Sequence, residues 1–132
     1  MAHLFTKKTT KARGDEAEDW ALAHLQAQGL KLLARQFQTP GRGGGELDLI
    51  MQEPDGTVVF VEVRARRDAR FGGAWASVDA RKRARLVLAA RHYLSTWTQL
   101  PACRFDVVGV TPAQCGQAAQ LDWLQAAFFL ED

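Results

Sequence analysis

Two apolar runs joined by a short polar turn constrain this 132-residue chain more than any other feature. Glu46-Leu47-Asp48-Leu49-Ile50-Met51 and Val58-Val59-Phe60-Val61-Glu62-Val63-Arg64 flank Glu53-Pro54-Asp55-Gly56. Pro followed by Gly among polar neighbours marks a turn, and β-branched and aromatic flanks mark strands, so residues 46–66 read as a β-hairpin. Folded about Asp55, the hairpin sets residue 48 against residue 62, each seven positions from the turn centre. Opposed Cβ atoms in an antiparallel pair lie roughly 4.5–5.5 Å apart. Two carboxylates at that separation repel, and an otherwise apolar hairpin needs a reason to keep them. A hard divalent cation, gripped by one or two carboxylates plus water and phosphate oxygens, is the simplest.

Around the hairpin the chain reads as one domain, with residues 1–10 loosely held and residues 11–132 folded. Lys11 to Gln28 is helical in pattern and Gly29 is placed to end it. Lys31 to Gln38 reads as a strand, and Thr39 to Gly45, with three consecutive glycines, as a flexible connector. A glycine-containing loop (68–76) leads to a long helix over 78–97, where Leu86, Val87, Ala90, Tyr93, Leu94 and Trp97 recur at three- and four-residue spacings. Cys103 to Val110 is a buried-looking strand, and Leu121 to Phe129 is apolar enough to dock on the core as short helix or strand. This order implies an α/β sandwich: a mixed central sheet, antiparallel through the hairpin and crossed by the long helix.

Charge is unevenly spread. Between Arg64 and Arg91 nine cations stand against only Asp68 and Asp79, and Lys7, Lys8, Lys11 and Arg13 add to the N-terminus. Such clustering suits a polyanion, most often nucleic acid, although a solvated Arg-rich surface has the same composition. Cys103 and Cys115 are too few for a disulfide scaffold and are expected to be free thiols. Residues 1–10 lack a signal-peptide stretch and no run approaches the roughly 18 apolar residues of a membrane span, so a cytoplasmic protein is expected.

Period-two alternation puts Glu46, Asp48 and Ile50 on one face of the second strand and Val58, Phe60, Glu62 and Arg64 on one face of the third. Asp48, Glu62 and Arg64 therefore share a charged end of the hairpin. Glu18 lies in the stripe Glu18-Ala21-Leu22-Leu25 on or beside a core-facing surface, where a carboxylate needs a partner: a metal cluster, or a cation such as Arg13. Gly43-Gly44-Gly45 lacks the Lys-Ser/Thr of a phosphate-binding loop and reads as hinge or turn. His3, His24 and His92 have no ligand spacing and read as packing or surface residues. The four Trp (20, 75, 97 and 123) read as core or interface residues, with Trp75 in its glycine loop the exception.

Asp48, a gap of 13 residues, then Glu62-Val63-Arg64 resembles the PD-(D/E)xK arrangement of restriction-endonuclease-like nucleases. More closely, Gly44 to Ile50, Phe60 to Arg64, Phe71-Gly72-Gly73, Val78 to Arg83, Ala90 to Leu94 and Arg104 to Val108 resemble, in order, the YraN-like family of small bacterial proteins. That family is similar in fold to archaeal Holliday-junction resolvases. The resemblance implies a single-domain restriction-endonuclease-like sandwich, a possible homodimer, and a metal site whose helical Glu, strand Asp, Glu and Lys fall on Glu18, Asp48, Glu62 and Arg64.

Two residues depart from the pattern: Ala17 replaces the glycine before the helical Glu, and Arg64 stands where the motif has Lys. Arginine keeps the charge but does not lose a proton, so catalysis survives only if the lysine role is electrostatic.

What the resemblance implies is metal-assisted hydrolysis of DNA phosphodiester bonds, with branched or structured DNA among the substrates. Asp48, Glu62 and Glu18 would serve as ligands of Mg²⁺ or Mn²⁺, with Arg64 on the phosphate. Arg66, Lys82, Arg81 and Arg85 are the expected DNA-facing cations. A nuclease-fold protein that binds nucleic acid without cutting it is the alternative. A protein-interaction module with a basic face is a third reading.

Overall fold

The structure, a computed structural model, describes residues 10–41, 43–65, 78–113 and 116–131, with side chains from residue 14 onward in the first of these stretches. Its elements are α1 (Thr10–Ala27), β1 (Lys31–Gln38), β2 (Glu46–Gln52), β3 (Val58–Ala65), α2 (Ala80–Leu94), β4 (Cys103–Thr111) and β5 (Gln120–Phe128). They form a mixed five-stranded sheet in the order β1-β2-β3-β4-β5, in which only β3 and β4 run parallel. The sequence pattern thus identifies every element of the described residues. The 68–76 loop, Phe71-Gly72-Gly73, Arg66 and Trp75 lie outside them.

Local chemistry fixes the boundaries. α1 stops at Gly29, whose φ of 98° favours glycine, with Gly29 N–H on the Gln26 carbonyl and Leu30 N–H on that of Leu25. In the hairpin turn Gly56 N–H bonds the Glu53 carbonyl and Thr57 N–H the Asp55 carboxylate. The ladder pairs Leu49 with Val61 and Gln52 with Val58, the register expected from a fold about Asp55.

α2 is shorter than the 78–97 span expected from periodicity. Asp79, extended at φ −82°, caps it by accepting from Lys82 N–H, which leaves Val78 buried ahead of the helix. Trp97 packs on Tyr93 from the turn that follows Ser95. The C-terminal segment, open between helix and strand, is a strand, because β4 presents a free edge that β5 covers in antiparallel register.

The helices lie on opposite faces of the sheet. Ala17, Ala21 and Leu25 of α1 pack on Leu49, Met51, Val59, Val61, Val63 and Val108. Leu86, Ala89, Ala90 and Leu94 of α2 pack on Ile50, Val58, Phe60, Phe105 and Val107. β3 is therefore buried on both faces from Val58 to Val63, with an apolar run from Val58 to Val61 rather than an alternating one and Glu62 as its buried acid. Trp20 departs from the expected burial: it is 58% exposed. His24 packs edge-on to Trp123 and His92 lies beside Phe37, in keeping with packing roles.

The glycine connector is less free than its composition suggests. A Cβ on Gly45 would clash with the Arg85 carbonyl oxygen of α2 and press on Ala89, while one on Gly44 would clash with Thr39. Gly45 lets α2 lie directly on the chain entering β2. Gly45→Ala is expected to cost about 2–3 kcal/mol through forced separation of these elements. Chemical denaturation of the variant checks this, and a loss below about 0.5 kcal/mol would show that the contact yields.

Candidate functional site

β2 and β3 stop pairing just where the acids begin. The ladder ends at Leu49–Val61, and Asp48 Oδ2 instead accepts the Val63 N–H at 2.8 Å. A side-chain carboxylate thus replaces the backbone partner that β3 would otherwise lack. In β2 alternation breaks at the same point. Leu47 and Ile50, three residues apart, both join the cluster under α2, so Glu46, Asp48 and Ile50 do not form one simple face. Asp48 lies within electrostatic reach of both Glu62 and Glu18 of α1: the Glu62 charge raises the Asp48 carboxyl, and the Asp48 charge raises that of Glu18.

Among the described residues three acids are buried: Glu18, Glu62 and Asp106. Asp106 is fully satisfied, accepting from Arg104 Nε, Arg104 Nη2, Trp123 Nε1 and Ala126 N–H. Glu18 is half committed, with Oε1 accepting from Arg35 Nε at 3.3 Å and Gln36 Nε2 at 3.2 Å. Glu62 differs from both. Its Oε2 is buried and, among the described residues, has no hydrogen-bond partner, while Lys82 Nζ stands 3.7 Å away. Its Oε1 faces Arg64 Nε at 3.5 Å. A buried carboxylate oxygen without a donor is costly unless something else binds it.

The electrostatics follow the burial. Desolvation first, then the charge of Glu62, pushes the Asp48 carboxyl up to about 7 against the pull of the Val63 N–H. Burial also raises Glu62, opposed by Lys82 and Arg64. Glu18 is raised by burial and then by Asp48, opposed by Gln36 and Arg35. Acids that resist ionisation together become two good ligands once a cation neutralises them.

No group of three or more His, Cys, Asp or Glu among the described residues forms a ready cage. Mg²⁺ does not need one, since it keeps several waters and binds through one or two carboxylates. Asp48 and Glu62 fit that demand. Glu18 engages Arg35 and Gln36 through Oε1 and is close enough to Asp48 for their charges to interact. Among the described side chains, the alternative partner considered for Glu18, a surface cation, is realised as Arg35, alongside its closeness to Asp48; the Arg13 side chain lies outside them.

Of the expected DNA-facing cations, Arg81 and Arg85 are exposed on α2, Lys82 lies at Glu62, and Arg66 falls outside the described residues. Sequence reasoning missed Arg35 and Gln36. Gln36 adopts φ 53°, a left-handed conformation uncommon for a residue with a side chain. No sequence signal announces that strain. Arg35 was in principle legible as a cation alternating onto the α1 face of β1.

The model of the uncharacterised protein family UPF0102 matches residues 17–110 of this chain. A UPF0102 protein of Paracidovorax citrulli is 62% identical over 122 residues, covering 92% of this chain and 86% of its own. One from Albidiferax ferrireducens is 57% identical over 120 residues, covering 91% of this chain and 89% of its own. One from Polaromonas naphthalenivorans is 54% identical over 130 residues, covering 96% and 85%.

Proposed function

The chain belongs to the UPF0102 family, and we propose that its carboxylate site is that of a metal-dependent nuclease acting on DNA, on a restriction-endonuclease-like variant of the α/β sandwich. The observation that carries this reading is the buried Glu62 Oε2, which accepts no hydrogen bond among the described residues, beside Asp48 where β2 and β3 part. One Asp48 oxygen serves the fold through the Val63 N–H, but two neighbouring buried carboxylates, one with an oxygen that accepts no hydrogen bond among the described residues, are a local conflict of the kind that concentrates at functional sites.

Asp48 and Glu62 are the residues that would hold Mg²⁺ or Mn²⁺. The ion would lower the pKa of a bound water and neutralise charge on the scissile phosphate. Asp48 is held in place by the Val63 N–H, and Glu18 with Arg35 and Gln36 forms the wall behind it. Arg64, two residues beyond Glu62, supplies fixed positive charge toward the phosphate. Arg81 and Arg85 extend the basic surface along α2 for the DNA backbone. Cytoplasmic location and a homodimer belong to the same proposal; among the described residues no helix is long and apolar enough to cross a membrane.

The test is cleavage with Mg²⁺ and Mn²⁺ of duplex, single-stranded, flapped and four-way-junction DNA, with Asp48→Ala in parallel. Wild-type cutting that falls by roughly a thousandfold or more in the variant is expected, given several kcal/mol of metal-dependent stabilisation. One observation favours a second reading, a binder of nuclease fold that does not cut: the motif position is Arg64, already ion-paired to Glu62. Salt-dependent DNA binding without cutting would select that reading. Absence of salt-dependent binding would leave the basic face to an acidic protein partner.

A further inference from the structure

Lys82 makes the least expected contact at this site. Each oxygen of the buried Glu62 carboxylate faces a cation: Arg64 Nε at 3.5 Å from Oε1 and Lys82 Nζ at 3.7 Å from Oε2. The two cations differ in origin. Arg64 shares the strand of Glu62, whereas Lys82 reaches in from the first turn of α2 on a flexible side chain that is 31% exposed. Nζ stands beyond hydrogen-bonding distance, so the pair is a loose neutralisation rather than a locked bridge.

The helix pays for this placement. Arg81, Lys82 and Arg83 open α2 with no acid in its first turn, although a helix N-terminus favours negative charge. Asp79 caps the backbone but stands alone against them. A basic first turn suits an anion arriving from outside, and with the helix N-terminus it favours phosphate. Lys82 therefore has two competing partners within reach: the Glu62 carboxylate and an incoming phosphate.

We propose that Lys82 is the resident counter-ion of the carboxylate site, neutralising Glu62 in the metal-free protein and yielding it to a divalent cation as it turns to a phosphate of the bound strand. This rests on the nuclease reading of Asp48 and Glu62 and adds to it a coupling between metal and DNA. A phosphate that draws Lys82 away removes a competitor from Glu62, so each ligand tightens the other.

The experiment is calorimetric titration of the full chain with Mn²⁺, for wild type, Lys82→Met, Lys82→Gln, Lys82→Arg and Asp48→Ala. It is repeated in the presence of a short phosphorothioate duplex that resists cleavage. Loss of the competing charge is expected to tighten Mn²⁺ binding roughly tenfold in Lys82→Met and Lys82→Gln, whereas Lys82→Arg stays near wild type. The duplex is expected to tighten Mn²⁺ binding in wild type and to lose that effect in Lys82→Met. Unchanged or weaker binding in both neutral variants, with binding still abolished by Asp48→Ala, would overturn the counter-ion role while leaving the metal site intact. If Asp48→Ala titrates like wild type there is no carboxylate metal site, and both readings fall. Two neutral variants guard against one misfolding, and thermal unfolding of each identifies such a case.

Discussion

Asp48→Asn is expected to make the metal-free protein more stable at pH 8 while abolishing its stabilisation by Mn²⁺. Burial, then the charge of Glu62, holds the Asp48 carboxyl at about 7, far above its ordinary 3.8. Between those values the folded chain binds a proton that the unfolded chain has released, so stability declines as pH rises from about 4 to about 7. At pH 8 the wild type carries the full cost of an ionised Asp48 beside Glu62. Asparagine keeps an oxygen for the Val63 N–H and carries no charge.

One pKa unit corresponds to 1.36 kcal/mol, and partial exposure of Asp48 reduces the yield, so a gain of about 1–3 kcal/mol is expected. For a domain of this size that is a rise of several degrees in the unfolding midpoint. Thermal unfolding in EDTA from pH 4 to 8 checks it: the two proteins should converge near pH 4 and separate toward pH 8. A variant less stable than wild type at pH 8 would show that Asp48 serves the fold. The expected gain, coupled to loss of Mn²⁺ stabilisation, identifies a carboxylate kept for its ligand at the expense of stability.

Asp106→Ala should do the opposite, destabilising the fold by about 3–5 kcal/mol without touching the site. Asp106 is completely buried and accepts from the Arg104 guanidinium, the Trp123 indole and the Ala126 N–H at 2.9–3.3 Å. Those bonds tie β4 to β5 at the register shift between Phe105 and Val107, where Ala126 adopts φ 54°. Truncation would strand an indole N–H, a backbone N–H and part of a guanidinium that is only 13% exposed, with Glu53 its remaining acidic partner among the bonds described. Domains of this size have about 5–15 kcal/mol in total, so the variant should approach the unfolding threshold at 37 °C. Urea denaturation with an unchanged slope and a lower midpoint is the expected signature. A loss under 1 kcal/mol would mean that water replaces the carboxylate. The contrast between the two acids is useful because Asp106, like Glu62, lies in a stretch of family resemblance. One has every oxygen satisfied and the other does not.

Much of this was legible in the chain. Pro54 and Gly56 between apolar runs determined the hairpin, and counting from Asp55 determined that Asp48 would meet Glu62, because a strand's register is a matter of residue count once the turn is fixed. Gly29 and the recurrence of Leu86, Ala90 and Leu94 located both helices for the same reason: these signals act within a few residues of where they are written. Three features needed the tertiary structure. Glycines read as a flexible connector proved to include a close approach of Gly45 to the backbone of α2, which depends on what lies opposite and not on the glycine itself. Lys82 is expected from sequence only as a DNA-facing cation, and its contact with Glu62, twenty residues earlier, comes from the β3–α2 crossover. Glu18, Glu62 and Asp106 are similar acids in sequence, and only the number of donors packed around each distinguishes a clamp from a candidate ligand. Short-range chemistry determined the elements and their register by sequence alone, whereas the partners of a buried charge come from distant segments and were decided by how the two helices and the sheet close on one another.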